Sequence, residues 1–192
     1  MYETWEELEE AIKDCHKCKL CNRRKNIVFG SGNKNATVML IGEGPGADED
    51  TQGEPFVGKA GQLMDRALEA LEMNKKEMYI TNVVKCRPPQ NRNPEDDETE
   101  ACMGYLRNQV VLMQPKIIVL LGSVALKHIL GEEYGITNTR GNWIEKKGIW
   151  YMPTFHPAAL LRDDTKKIDF WRDLKLVKEK WEEIRYNEQS IL

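Results

Sequence analysis

The chain is predicted to fold as an α/β protein built on a parallel sheet with helices on both faces. Three observations predict this. Apolar segments of strand length alternate with segments of helical periodicity. Four of the apolar runs, 37–41 (TVMLI), 78–84, 116–121 (KIIVLL) and 148–153 (GIWYMP), are close to continuously apolar, as strands buried on both faces must be. No internal repeat, low-complexity tract or long linker divides the 192 residues, a length that suits one domain spanning 1–192.

The elements follow in order. Residues 5–14 read as an acidic amphipathic helix, with Thr4 as N-cap and Glu7 three residues on. A cysteine-rich basic turn follows, then the strand 37–41. Leu63, Ala67, Leu68 and Leu71 give residues 59–71 helical spacing. After the strand 78–84, Pro94 at the first helical position opens a helix reaching Met113. The third strand leads to a short helix capped by Ser123 and ending near Gly131. After the fourth strand, 169–185 forms a closing amphipathic helix, and 186–192 is a candidate partner-binding tail with no specific motif.

Composition narrows the function classes. The chain is 41% hydrophobic and 31% charged, as in soluble globular proteins. It has no apolar run of about 18 residues, so no membrane span is expected. The acidic opening (Glu3, Glu6, Glu7, Glu9, Glu10, Asp14) is not the chemistry of a secretory signal and predicts an intracellular, cytoplasmic protein. A net charge of −3 conceals segregation. Residues 15–42 hold six cations and no acid, whereas 43–54 hold five acids and no cation. Such a pattern suits a basic groove around an acidic pocket, and equally suits solvated faces of mixed sign.

Ligands of parallel sheets bind outside the carboxyl ends of the strands. Those ends carry Gly42-Glu43-Gly44-Pro45-Gly46, Thr81-Asn82, Gly122-Ser123 and Phe155-His156-Pro157. A glycine-rich loop with a carboxylate, an amide, a small turn and a histidine thus converge on one rim. Glu43 suits the positioning or deprotonation of a water. The Asn82 amide offers a donor and an acceptor to a base edge, or forms an Asx-turn. Phe56 is a candidate stacking platform, although an aromatic entering a helix is more often core. His156 is one of only three histidines. The loop lacks the third glycine of a dinucleotide fingerprint, and Pro45 removes a donor, so it is a weak phosphate cradle.

Five cysteines in an intracellular chain point to metal or redox chemistry. Cys15 and Cys18 form a C-x2-C pair, and Cys86 and Cys102 lie far along the chain. A four-thiolate site accepts zinc or a [4Fe-4S] cluster, and spacing does not decide between them. Cys21 extends the first pair to C-x2-C-x2-C, and the alternative for Cys86 and Cys102 is that they are buried structural thiols.

Together these residues resemble the family 4 uracil-DNA glycosylases, the iron–sulfur enzymes of bacteria and archaea. The resemblance covers roughly 15–181. It rests on GEGPG (42–46), EDTQGEPFVGKAGQL (49–63), YITNVVKCRPPQNR (79–92), KIIVLLGSVA (116–125), ITNTRG (136–141) and TFHPAALLR (154–162), in that order. It implies a three-layer α/β/α sandwich around a four-stranded parallel sheet, with an N-terminal helix and cluster-binding loops. The implied activity is DNA repair by hydrolytic removal of a flipped-out uracil, leaving an abasic site. Cys15, Cys18, Cys86 and Cys102 fall at the ligands of a [4Fe-4S] cluster, with Cys21 outside the set. Phe56 falls at the stacking residue, Asn82 at the uracil reader, His156 at the donor to the carbonyl beside the scissile bond, and Glu43 at the acid beside the attacking water. Gly44 offers backbone contact to the base, and Glu49 matches a second pocket acid. Lys85, Arg87 and Arg92, with Leu160, Leu161 and Arg162, are expected to touch DNA. Ala47, Asp48 and Ala159 depart from the family pattern. The expected partner is uracil-containing DNA, single- or double-stranded, bound by a monomer, with a sliding clamp or other repair protein as further candidates. The rival reading is a non-catalytic nucleic-acid-binding module with a structural metal.

Overall fold

A computed structural model describes residues 1–190, so the last two residues of the candidate tail lie outside the described residues. Six strands form one mixed sheet in the order β1-β3-β2-β4-β6-β5. They are β1 (Ser31–Gly32), β2 (Val38–Gly42), β3 (Tyr79–Asn82), β4 (Ile117–Leu121), β5 (Ile144–Lys146) and β6 (Ile149–Thr154). The four expected strands, β2, β3, β4 and β6, pair in parallel, with Gly42 opposite Asn82 and Leu121 opposite Thr154. The edges β1 and β5 pair antiparallel; both are short and partly exposed, so neither carries a continuous apolar run that sequence could reveal.

Period-two alternation makes the three layers. Val38 and Leu40 of β2 face one way, joining α3 (Lys59–Ala70), α7 (Pro157–Arg162) and α8 (Lys166–Gln189) through Met64, Leu68, Leu160, Phe170 and Leu174. Met39 and Ile41 face the other way, meeting Met103 and Leu106 of α4 (Asp96–Met113) and Leu126 of α5 (Ser123–Leu130). Outside α4 lies α1 (Trp5–Lys13), whose Leu8 and Ile12 pack on Tyr105. Thr4 caps α1 as expected, its hydroxyl accepting from the Glu7 N–H at 3.2 Å.

Two helix starts differ from expectation. Pro94 precedes α4 rather than opening it: Glu95 is the N-cap, and its N–H donates to Glu98 at 2.8 Å in a capping box. Ser123 is the first residue of α5 and makes no cap; Gly122, at φ 91°, precedes it because a side chain there would strike His156 Cβ at 2.9 Å. Three short helices, α2 (Ala47–Gln52), α6 (Ile136–Thr139) and α7, escape sequence reading because six residues or fewer show no periodicity.

Candidate active site and thiol cavity

The carboxyl ends of β2, β3, β4 and β6 open into one cleft of about 620 Å³, lined by Glu43, Gly44, Phe56, Asn82 and His156 among others. The GEGPG loop is locked to the end of β3, because the Gly42 carbonyl accepts from the Val83 N–H at 2.9 Å and the Glu43 carbonyl from the Val84 N–H at 3.1 Å. Gly42 must be glycine: a Cβ there would lie 2.5 Å from Asn82 Oδ1 and 2.6 Å from Phe56 Cζ. Asn82 is buried, and its Oδ1 has no hydrogen-bond partner. An orphaned buried acceptor costs about 1–3 kcal/mol, a cost that a donor entering the cleft would relieve.

The Phe56 and His156 rings lie 5.6 Å apart at 32°. Phe56 is held at φ 55°, a left-handed conformation that costs on the order of 1–3 kcal/mol. Glu49 holds this turn. One of its carboxylate oxygens accepts from the N–H groups of Val57 (3.0 Å) and Gly58 (2.8 Å), and the other from that of Gly46 (3.1 Å). Glu49 lines the cleft, and its bonds make it the clamp between the GEGPG loop and the Phe56 turn. His156 caps α7: its Nδ1 accepts from the Ala158 N–H at 3.1 Å, which leaves Nε2 as the protonated donor. Burial pushes its pKa down to about 4, aided by Arg162, so the ring is neutral at pH 7. Burial raises Glu43 to about 6, opposed by the same Arg162.

The expected DNA-contacting residues divide. Leu161 is 47% exposed beside the cleft, and Arg162 lines its mouth. Arg87 is half-buried, with Nε bonded to Asn91. Arg92 lines the cleft, but its guanidinium is committed to both oxygens of the buried Glu98 at 2.7 and 2.8 Å. Two expectations are corrected. Leu160 is 0% exposed and belongs to the core, since α7 turns it onto Phe170 and away from solvent. Lys85 is also 0% exposed; the chain bends beyond β3, and the Lys85 amine turns inward onto Thr81, the Asn82 carbonyl and Gln109. Sequence reading missed Lys166, which lines the cleft and lies over the Phe155 ring at 5.5 Å. It also missed Asp50, whose buried carboxylate accepts from the Lys25 N–H at 2.9 Å and ties the cysteine-bearing turn to α2.

Cys15, Cys18, Cys21, Cys86 and Cys102 line a second cavity behind the strand-end loop. The donor set is all sulfur, and cationic or N–H groups face it: Arg24 Nη1 reaches Cys86 Sγ at 3.6 Å and the Lys85 N–H donates to Cys102 Sγ at 3.3 Å. Burial pushes the Cys86 thiol up to about 11 and raises Cys18 and Cys102. Thiols in such surroundings stay protonated unless a metal displaces the proton. Among the described residues no three ligand side chains are placed to hold a metal ion, so the all-sulfur chemistry of the set is what suits it to a metal, and that chemistry accepts an iron–sulfur cluster or zinc. Cys21 lines the same cavity, with Sγ 3.4 Å from Asn22 Oδ1.

A model of the uracil DNA glycosylase superfamily matches residues 29–175. A type-4 uracil-DNA glycosylase of Sulfurisphaera tokodaii is 43% identical over 183 residues, covering 91% of this chain and 83% of that protein. One of Thermotoga maritima is 41% identical over 170 residues, covering 86% and 88%. A type-5 uracil-DNA glycosylase of Pyrobaculum aerophilum is 31% identical over 147 residues, covering 67% and 64%.

Proposed function

The chain belongs to the type-4 uracil-DNA glycosylases, hydrolases of the N-glycosyl bond, and we propose that it removes uracil from DNA with Glu43, Phe56, Asn82 and His156 as its working residues. The observation that carries the assignment is the orphaned, buried Asn82 Oδ1 in a cleft shared with a neutral histidine and a raised carboxyl. An acceptor and a donor on one amide match the N3–H and O4 of uracil. Cytosine presents the opposite pair and would leave buried groups unsatisfied, which discriminates more than about tenfold.

The target nucleotide must leave the stack to reach this cleft, at a cost of a few kcal/mol. Exposed Leu161 fills the vacated gap, and Arg162 and Lys166 meet phosphate. Phe56 stacks on the flipped base. As the N1–C1′ bond breaks, its electron pair stays with uracil and positive charge develops on the sugar. The Nε2–H of His156 donates to the carbonyl beside the bond and stabilises that negative charge; a neutral imidazole does so without surrendering its proton. Glu43 orients the water whose oxygen bonds to C1′, and its carboxylate offsets the sugar's charge and receives the water's proton. Gly44 brings backbone close to the base.

Cys15, Cys18, Cys86 and Cys102 would hold a [4Fe-4S] cluster, which cross-links the N-terminal turn to the loop after β3 and takes no part in bond cleavage. His156→Ala and Asn82→Ala should each slow single-turnover uracil excision by about tenfold or more, the scale of one lost site hydrogen bond. Near-wild-type rates in both variants would sink the assignment.

A further inference from the structure

Lys85 has no part in the chemistry above, yet it is the most completely enclosed cation of the chain. Its side chain is 0% exposed, and lysine is almost never fully buried without partners. Its Nζ donates to the Thr81 hydroxyl, to the Asn82 carbonyl at 2.7 Å and to Gln109 Oε1 at 2.7 Å. Three acceptors thus surround the amine. Gln109 is itself buried and fixed, because its Nε2 donates to the Phe29 carbonyl at 2.9 Å and to the Tyr79 hydroxyl at 3.2 Å, leaving Oε1 aimed at the lysine. The backbone of Lys85 points at the thiols: its N–H donates to Cys102 Sγ, and the next residue is Cys86.

We propose that Lys85 is a positioning residue joining the thiol cavity to the base-reading amide, its Nζ holding the Asn82 carbonyl while its N–H holds the Cys102 sulfur. The proposal rests on the reading of the cleft as a uracil pocket and of the cavity as a cluster site. One residue then holds the Asn82 backbone, from which the reading side chain projects, and the Cys102 sulfur that lines the cavity. Removing the amine takes that donor from the Asn82 carbonyl and leaves Gln109 Oε1 only the long 3.4 Å contact with the Thr81 hydroxyl, which itself donates to the Phe29 carbonyl; each orphaned acceptor costs about 1–3 kcal/mol, and the cheapest relief is for β3 to shift.

Lys85→Met keeps the stem and removes the donors, and Gln109→Leu removes one acceptor, together with the donors to Phe29 and Tyr79, from outside the cleft. In the cluster-loaded protein, the Val83 and Val84 amides, which bond to Gly42 and Glu43, should exchange with deuterium about tenfold faster in Lys85→Met, the scale of one lost buried hydrogen bond. Iron release to a chelator should quicken in the same variant. Uracil excision should fall in kcat, while affinity for undamaged DNA stays at the wild-type value. Gln109→Leu should move exchange and iron release in the same direction by less. Wild-type exchange and iron release in both variants would overturn the proposal, as would an excision defect explained wholly by lost DNA affinity. If Lys85→Met does not fold, Gln109→Leu alone decides by the same two readouts. A wild-type protein that excised no uracil would defeat the functional reading, while exchange and iron release would still judge the role of Lys85.

Discussion

Burial raises the Glu43 carboxyl from 4.5 to about 6, because a charge in the cleft loses water that Arg162 only partly replaces. Its raised folded value favours the protonated form, so its stability contribution is full below 4.5 and is lost as pH rises through 6. In the proposed mechanism Glu43 acts as the carboxylate. Excision should therefore fall as pH drops through 6, whereas Glu43→Gln should raise the thermal midpoint above pH 6 and leave it unchanged below 4.5. A pH series of excision rate and melting temperature checks both halves. His156 runs the other way: its folded value, lowered to about 4, gives stability present above 6.5 and lost as pH falls through 4. Glu43, Asn82 and His156 were legible as functional candidates because each follows a strand at its carboxyl end, where position alone distinguishes them. The inward turn of Lys85 was not, since a cation in a basic loop reads as solvated until its three acceptors come from β3 and α4. The clamp role of Glu49 was hidden for the same reason, because backbone N–H groups leave no mark in sequence.

Among the elements, β6 is held by an interaction no motif announces. Asp173 of α8 is 0% exposed and accepts from the Thr154 hydroxyl at 2.6 Å and from Arg140 Nε at 2.9 Å. The Arg140 Nη2 also reaches the Asp169 carbonyl at 3.2 Å. Three elements therefore meet two residues before His156. Asp173→Ala leaves the mostly buried Arg140 guanidinium with only the Asp169 carboxylate, at 3.6 Å, as an ionic partner and should cost about 3 kcal/mol, the lower end for breaking a buried pair. Urea unfolding should show a lower midpoint at an unchanged m-value, with weaker excision from the part that remains folded. The strands β2, β3, β4 and β6 were readable because burial on both faces demands unbroken apolar runs. The connections that aim His156 and Phe56 were not, because α2, α6 and α7 are too short for a helical period and their positions depend on Asp50, Arg140 and Asp173 finding distant partners.

At the scale of the whole molecule, the segregation of cations and acids noted in sequence is real, but its consequence differs from a simple basic groove. Arg92 is neutralised by Glu98, and Lys19 joins the same acidic cluster through Glu95. Lys85 is withdrawn into the interior. Around the cleft, Arg87 and Arg162 have no carboxylate partner among the described residues, and Lys166 shares its charge with Asp163 at 3.3 Å. A cation already paired within the protein displaces no counter-ion from DNA. Duplex binding through this rim should therefore weaken with added salt along a shallow line, with a log–log slope of roughly −2 to −3, about 0.9 per phosphate neutralised. A titration of affinity against salt concentration measures it, and a much steeper slope would mean that DNA extends beyond the rim. Shallow dependence has a cost and a benefit: little long-range attraction speeds the first encounter, but weak non-specific retention lets the protein leave undamaged DNA quickly. The search for a lesion then proceeds by many brief landings, and the dwell time at each site is set by whether a base enters the pocket.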